Sequence, residues 1–285
     1  MSFIDHLKTL PQYLIPQHGL SQLAGKLADS KTFPFRHNVI KAFAKHYGID
    51  MSLAQEPNLE AYDSFNDFFT RAIRPEVRPI CDEPNTMACP VDGAVSQFGP
   101  IKEGRIFQAK GHDYSATELL GGDQALGNLY KNGQFCTIYL SPKDYHRIHM
   151  PVRGSLTQMI HVPGKLFSVN PLTARTVPHL FARNERVVAM FDTEFGPIAM
   201  VSVGATIVGS VETVWSGIVT PPTKREVVTT HYGEDEIVLE KGDEMGRFRL
   251  GSTIVLLLPE GDFEWDESIV EEAPTILGQP LVKKR

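Results

Sequence analysis

The chain has 285 residues, 42% of them hydrophobic and 22% charged, and a formal net charge of -6. That length and balance fit a globular protein with a sizeable core, and the acidic sign argues against wholesale nucleic-acid binding. Cys81, Cys89 and Cys136 contain no CxxC pair, so three inert, buried thiols in a reducing compartment are expected rather than a disulfide framework.

In chain order, Met1 to Lys8 has no basic run leading into a continuous apolar stretch, so no secretory signal is expected. Leu20, Leu23, Ala24 and Leu27 fall at helical spacing, as do Val39, Ile40, Phe43, Ala44 and Tyr47. A third helix is predicted from Asp63 or Ser64, with Phe65, Phe68, Phe69 and Ala72 on one face, stopping before Pro75. Residues 1–50 carry six basic side chains (Lys8, Lys26, Lys31, Arg36, Lys41, Lys45) against three acidic ones (Asp5, Asp29, Asp50), opposite in sign to the whole chain. Short basic helices with an apolar side suit an anionic membrane surface; the alternative is that they pack on the body of the protein.

From Met87 onward, short β-like runs alternate with Gly, Pro and Asp. They include Ala94–Ser96, Phe135–Leu140, Val187–Phe191, Ile198–Val203, Thr206–Val211, Ile237–Leu239 and Thr253–Leu258. A short helix is expected at Ala116–Leu120. The uncharged stretch Phe195–Val211 is broken by Gly and Pro and is shorter than the ~20 residues of a membrane-spanning helix, so it reads as two buried strands. The pattern predicts an α+β protein: a β-rich, sandwich or barrel-like core over 76–285 behind a helical region over 1–75.

Three segments can carry chemistry. Asp92-Gly93 places a carboxylate at a turn entering a strand, either as a plain turn or as a group that orients a histidine. Asp144-Tyr145-His146-Arg147-Ile148-His149 follows an apolar strand, and its His-x-x-His spacing is open between a metal pair, a general base with a helper, and two surface histidines. Leu250-Gly251-Ser252-Thr253 opens the last long apolar run. Asp92, His149 and Ser252 together have the composition of an orienter, a base and a nucleophile.

The order of motifs resembles the bacterial-type phosphatidylserine decarboxylases. The matching pieces are Phe68-Phe69-Thr70-Arg71 with Ile73-Arg74-Pro75 and Arg78-Pro79, then Asp92-Gly93, Lys110-Gly111 and Asp144 to Pro151. Phe167 to Pro171, Val203-Gly204-Ala205, Val208-Gly209-Ser210 and Lys241-Gly242-x-Glu244-x-Gly246-x-Phe248 follow, ending in Leu250 to Thr253.

The resemblance implies self-cleavage between Gly251 and Ser252, giving a β chain (1–251) and an α chain (252–285). His149, oriented by Asp92, would take the Ser252 proton, and the oxygen would attack the Gly251 carbonyl. Ser252 would end as a covalent pyruvoyl group, the one cofactor, which forms an imine with the substrate amine and draws electrons as carbon dioxide leaves. His146 would return the proton to carbon. Asp144 would support the histidines or be structural, and Lys110 and Lys165 would be structural or touch substrate. No metal is implied. The expected partners are phosphatidylserine in an anionic membrane, the two processed chains and a second copy as a homodimer, with no nucleic acid. The expected location is the cytoplasmic side of the cell membrane, bound peripherally through residues 1–75.

Three rival readings remain at this level. A zinc hydrolase would use Asp92, His146 and His149 as ligands; a scaffold would bind membranes without catalysis; a triad hydrolase would keep Ser252 as nucleophile, without a Gly-x-Ser-x-Gly elbow.

Overall fold

A computed structural model describes residues 8–206, 210–220, 226–249 and 252–285, apart from the side chains of Leu14 and Ser252. Leu250, Gly251 and residues 207–209 of the predicted 206–211 strand therefore lie outside the described residues.

The N-terminal region is helical, with α1 (Pro11–Leu14), α2 (Gln17–Asp29), α3 (Arg36–Tyr47) and α4 (Phe65–Phe69). Gly48 ends α3 in the left-handed region at φ 63°, a role glycine fills without a Cβ clash. Ser64 caps α4, its hydroxyl accepting from the Asp67 N–H at 3.1 Å.

The buried face of α2 is not the apolar one. Gln17, Ser21 and Ala28 are buried, whereas Leu20, Leu23 and Leu27 are 40%, 58% and 52% exposed. The body offers α1 and α2 backbone groups to bond: the Leu166 N–H donates to Gln17 Oε1 at 2.8 Å and the Ser168 N–H to Gln12 Oε1 at 2.9 Å. Polar side chains answer those groups, and the leucines stay outside. Helices α3 and α4 pack inward through Ile40, Ala44 and Phe68, joined by Tyr62 from the segment between them, with the Phe43 ring centroid 5.0 Å from that of Phe65.

The body opens with β1 (Thr86–Ala88), β2 (Gly93–Pro100), and a hairpin of β3 (Arg105–Ala109) and β4 (His112–Ser115). Next come helices α5 (Ala116–Leu119) and α6 (Gln124–Leu129) and strands β5 (Gln134–Leu140), β6 (Arg147–His149) and β7 (Gly154–Val162). Helices α7 (Pro171–Thr176) and α8 (Leu180–Arg183) precede β8 (Arg186–Thr193), β9 (Ile198–Val203), β10 (Val211–Thr213) and β11 (Gly217–Ile218). The chain continues through β12 (Val228–His231), β13 (Val238–Leu239), β14 (Glu244–Phe248), β15 (Ser252–Leu258), β16 (Phe263–Trp265), β17 (Pro274–Thr275) and β18 (Pro280–Lys284).

The main sheet runs β12-β7-β8-β9-β15-β5-β2-β17, with β13 also on β7; a second runs β11-β10-β14-β6 and a third β1-β18-β16. The sheets are open rather than closed into a barrel, so the α+β expectation holds with a layered core. Strand β15 is buried on both faces. Ile254, Leu256 and Leu258 join Ile138 and Leu140 on one side, and Val255 and Leu257 join Val201 and Val203 on the other. Each such side chain contributes about 2 kcal/mol relative to exposure, which is why this run is apolar without alternation.

Candidate active site

The register of the main sheet brings three motifs to one end. Thr253 pairs with Val203 on one side and with Tyr139 on the other, and Tyr139 also pairs with Ala94. One residue further, Ser252 pairs with Leu140, and Gly93 begins β2. Asp92 thus precedes β2, Ser141 follows β5 and Ser252 opens β15 on neighbouring strands about 5 Å apart. A cleft of about 1040 Å³ lies there, lined among others by Asp92, Tyr139, Ser141, Lys143 and Asp144.

The chain leaves β5 through a tight turn. The Asp144 carboxylate accepts from both the backbone N–H and the hydroxyl of Ser141, each at 2.7 Å. Burial nevertheless holds its pKa above the ordinary carboxylate value, outweighing those bonds. The turn delivers His146 and His149 to different surroundings.

His149 Nδ1 lies 2.7 Å from the Gly242 carbonyl oxygen, which can only accept, so Nδ1 carries the proton. Nε2 then holds the lone pair and receives the Tyr145 hydroxyl at 3.2 Å. Burial lowers the His149 pKa, keeping the ring neutral with its basic nitrogen on the Tyr145 side. Gly242 has a φ of 90°, and a Cβ there would sit 2.8 Å from Ile80 Cγ1, so the carbonyl that sets this tautomer needs glycine.

His146 is fully buried, its ring centroid 4.1 Å from that of Phe69. Nδ1 donates to the Asp144 carbonyl at 2.8 Å, and Nε2 is buried without a partner among the described residues. Burial pushes its pKa down to about 3. The Phe-Phe-x-Arg motif encloses this block. The Arg147 Nε donates to the Thr70 carbonyl at 2.9 Å, and the Arg71 Nη2 to that of Lys143 at 3.2 Å.

Asp92 is placed differently from the sequence expectation. Its carboxylate is gripped by Arg78 and by the Leu277 N–H at 2.8 Å, and it makes no hydrogen bond to His149. The two segments still touch, since the His149 N–H donates to the Pro90 carbonyl at 2.9 Å. The carboxylates that act on the His149 ring are Glu244 and Asp243. Sequence reasoning missed Arg78, Tyr145 and Gly242 as partners, although all three stand inside the motifs it singled out. Among the described residues no group of three or more His, Cys, Asp and Glu side chains could hold a metal ion.

This arrangement of motifs recurs in known proteins. A family model described as phosphatidylserine decarboxylase matches residues 65–283, and a second, described as PSD, matches residues 7–48. The chain belongs to the phosphatidylserine decarboxylase family. It is 58% identical over 280 residues to a phosphatidylserine decarboxylase proenzyme of Shewanella putrefaciens, covering 97% of each chain. It is 57% identical over 284 residues to that of Shewanella loihica, covering 98% of this chain and 99% of the relative. The Shewanella frigidimarina proenzyme is 56% identical over 284 residues, with the same coverage.

Proposed function

We propose that the chain decarboxylates phosphatidylserine to phosphatidylethanolamine and carbon dioxide, after cutting itself between Gly251 and Ser252. Family membership over nearly the whole length supports the reaction, and the relatives' designation as proenzymes supports a processing step. The observation that carries the site assignment is the His149 tautomer: a neutral imidazole, proton fixed on Nδ1, with Nε2 able to accept.

In this reading His149 takes the hydroxyl proton of Ser252. The freed oxygen attacks the Gly251 carbonyl, the peptide bond becomes an ester, and elimination releases a chain ending at Gly251. The new terminus is then a dehydroalanine, and one water hydrolyses it through its imine, supplying the ketone oxygen and releasing ammonia, so that residues 252–285 begin with a pyruvoyl group. Asp92 stabilises the imidazolium that His149 becomes, which requires one carboxylate oxygen to turn from Arg78 or Leu277 toward the ring.

The residues fit such a group. Residue 252 opens a strand at this end of the sheet, and His146 Nε2, in the segment leaving the paired strand, is a buried polar atom without a partner among the described residues. A ketone there supplies an electron sink for loss of the headgroup carboxylate. His146 then relays the proton to carbon; with its pKa near 3 it holds that proton only transiently. The protein binds as a peripheral homodimer on the cytoplasmic face of an anionic membrane, through the exposed leucines of α2. No helix among the described residues is long and apolar enough to cross a bilayer.

Intact-mass spectrometry under denaturing conditions tests the reading. Two chains are expected, one ending at Gly251 and one starting with a pyruvoyl group, while Ser252→Ala stays a single chain without activity. A single unmodified wild-type chain that still releases carbon dioxide from phosphatidylserine would overturn the self-cleavage step.

A further inference from the structure

The cleft that Asp92 and Ser141 line at its inner end continues outward to the β3–β4 hairpin and α7. One buried side chain fastens these two elements together. Gln108 is fully buried; its Nε2 donates to the carbonyls of Ala174 and Val177, both at 2.8 Å, and its Oε1 accepts from the Leu180 N–H at 2.7 Å. Such a three-bond clamp holds strand and helix in one relative position.

The clamp sets the place of two cations. Lys110 stands two residues beyond Gln108 at the hairpin turn, in the left-handed region at φ 45°, where a non-glycine residue is uncommon. Arg175 follows Ala174, whose carbonyl the clamp holds, and both cations line the cleft. Neither has an ion-pair partner among the described residues. On the same hairpin Asp113 is committed to Arg105. The cleft's acids, Asp92, Asp144, Glu271 and Glu272, come from other segments. Phe107, 45% exposed, lines the cleft beside the cations.

We infer that Lys110 and Arg175 form the subsite for the phosphodiester anion of the lipid headgroup, with Phe107 marking where the glyceride part leaves toward the membrane. A guanidinium and an ammonium on clamped backbone suit a phosphodiester oxygen pair, and the inner cleft is left for the amino acid end. The inference rests on the proposed reaction and adds the residues that select a phosphate-bearing headgroup.

The test uses processed enzyme with Lys110→Gln, Arg175→Gln and the double variant, assayed on phosphatidylserine in uncharged detergent micelles. The double variant should show KM raised by at least about tenfold with kcat within about twofold, as expected when uniform binding is lost. Inhibition by glycerophosphoserine, the headgroup without acyl chains, should weaken by a similar factor, and Lys110→Arg should restore most of the single-site loss. Intact mass and melting temperature establish that each variant folds and cleaves. Unchanged KM and unchanged inhibition in the double variant would overturn the subsite. So would a defect seen only on anionic vesicles and tracking lost co-sedimentation, which would assign the cations to surface attraction. A wild-type enzyme that releases no carbon dioxide from phosphatidylserine would instead refute the proposed reaction.

Discussion

Arg78 grips Asp92 with both sides of its guanidinium, Nη2 to Oδ2 at 2.7 Å and Nε to Oδ1 at 2.9 Å. Both side chains are largely withdrawn from solvent, so the pair neutralises a carboxylate that would otherwise be held by one backbone N–H. Arg78→Gln should cost about 3 kcal/mol, the low end for breaking a buried pair because some solvent reaches this one. It should also slow self-cleavage by misplacing Asp92. Chemical denaturation and a time course of chain separation check the two effects; wild-type values in both would mean the carboxylate is held well enough by Leu277 alone.

The proposed base predicts a pH dependence. Burial lowers the His149 pKa below 6.5, so the neutral ring dominates at neutral pH and is lost only in acid. The self-cleavage rate should therefore be flat above about pH 6.5 and fall as pH drops through the lowered pKa. Tyr145→Phe removes a donor to Nε2 and should move that fall upward in pH, because the unbonded lone pair takes a proton more readily. Rates across pH 4–8 in both proteins decide it; an unmoved profile would remove Tyr145 from the site.

The fold was legible where one physical rule governed. Ile198–Val203 and the run beginning at Thr253 are strands because a continuous apolar segment of that length needs burial on both faces. Helix α2 was legible as a helix, but its orientation was not: periodicity marks an apolar stripe, and only the backbone groups of Leu166 and Ser168 explain why Gln12 and Gln17 face inward. The site was legible as a list of residues and not as a wiring diagram. The segments of Asp92 and His149 touch at Pro90, yet the two side chains bond to Arg78, Leu277, Gly242 and Tyr145, partners drawn from segments up to 185 positions away.

His146 should make the protein acid-sensitive. Its folded pKa is lowered to about 3, whereas the unfolded chain protonates near 6.5, so below pH 6.5 the unfolded state binds the extra proton. Stability from this group is complete above pH 6.5 and is lost progressively toward pH 3, by up to about 1.4 kcal/mol per pH unit. His146→Gln lacks that loss, so the stability difference between wild type and variant should shrink in the favour of the variant as pH falls from 7 to 4.5. Parallel curves from urea unfolding at the two pH values would place the acid sensitivity elsewhere.

The exposed leucines of α2 predict a separable membrane function. Leu23 and Leu27 are more than half exposed, so Leu23→Asp with Leu27→Asp should change folding stability by no more than about 0.5 kcal/mol each. Co-sedimentation with anionic vesicles should fall several-fold, since both buried apolar area and charge attraction are reduced. Activity on micellar substrate should persist. Unchanged vesicle binding would leave α2 as a helix that merely rests on the body.

Gly93 separates backbone crowding at the site from ordinary helix propensity. A Cβ at position 93 would lie 2.5 Å from the Tyr139 carbonyl oxygen and 2.9 Å from Ile138 Cγ2. The first is backbone in a paired strand and the second a fully buried branched side chain, so neither yields without moving β2 from β5 at the row beside Asp92. Gly93→Ala should cost about 1–3 kcal/mol, lowering Tm by several degrees, and slow self-cleavage beyond what the stability loss explains. Gly19, inside α2 with nothing within 4 Å of its Cβ position, is the control: Gly19→Ala should raise stability by about 0.5–1 kcal/mol through helix propensity. If Gly93→Ala melts and cleaves like the wild type while Gly19→Ala stabilises, the β2–β5 edge is soft, and the alignment of Asp92 with the start of β15 must be set by the Arg78 grip instead of by the sheet.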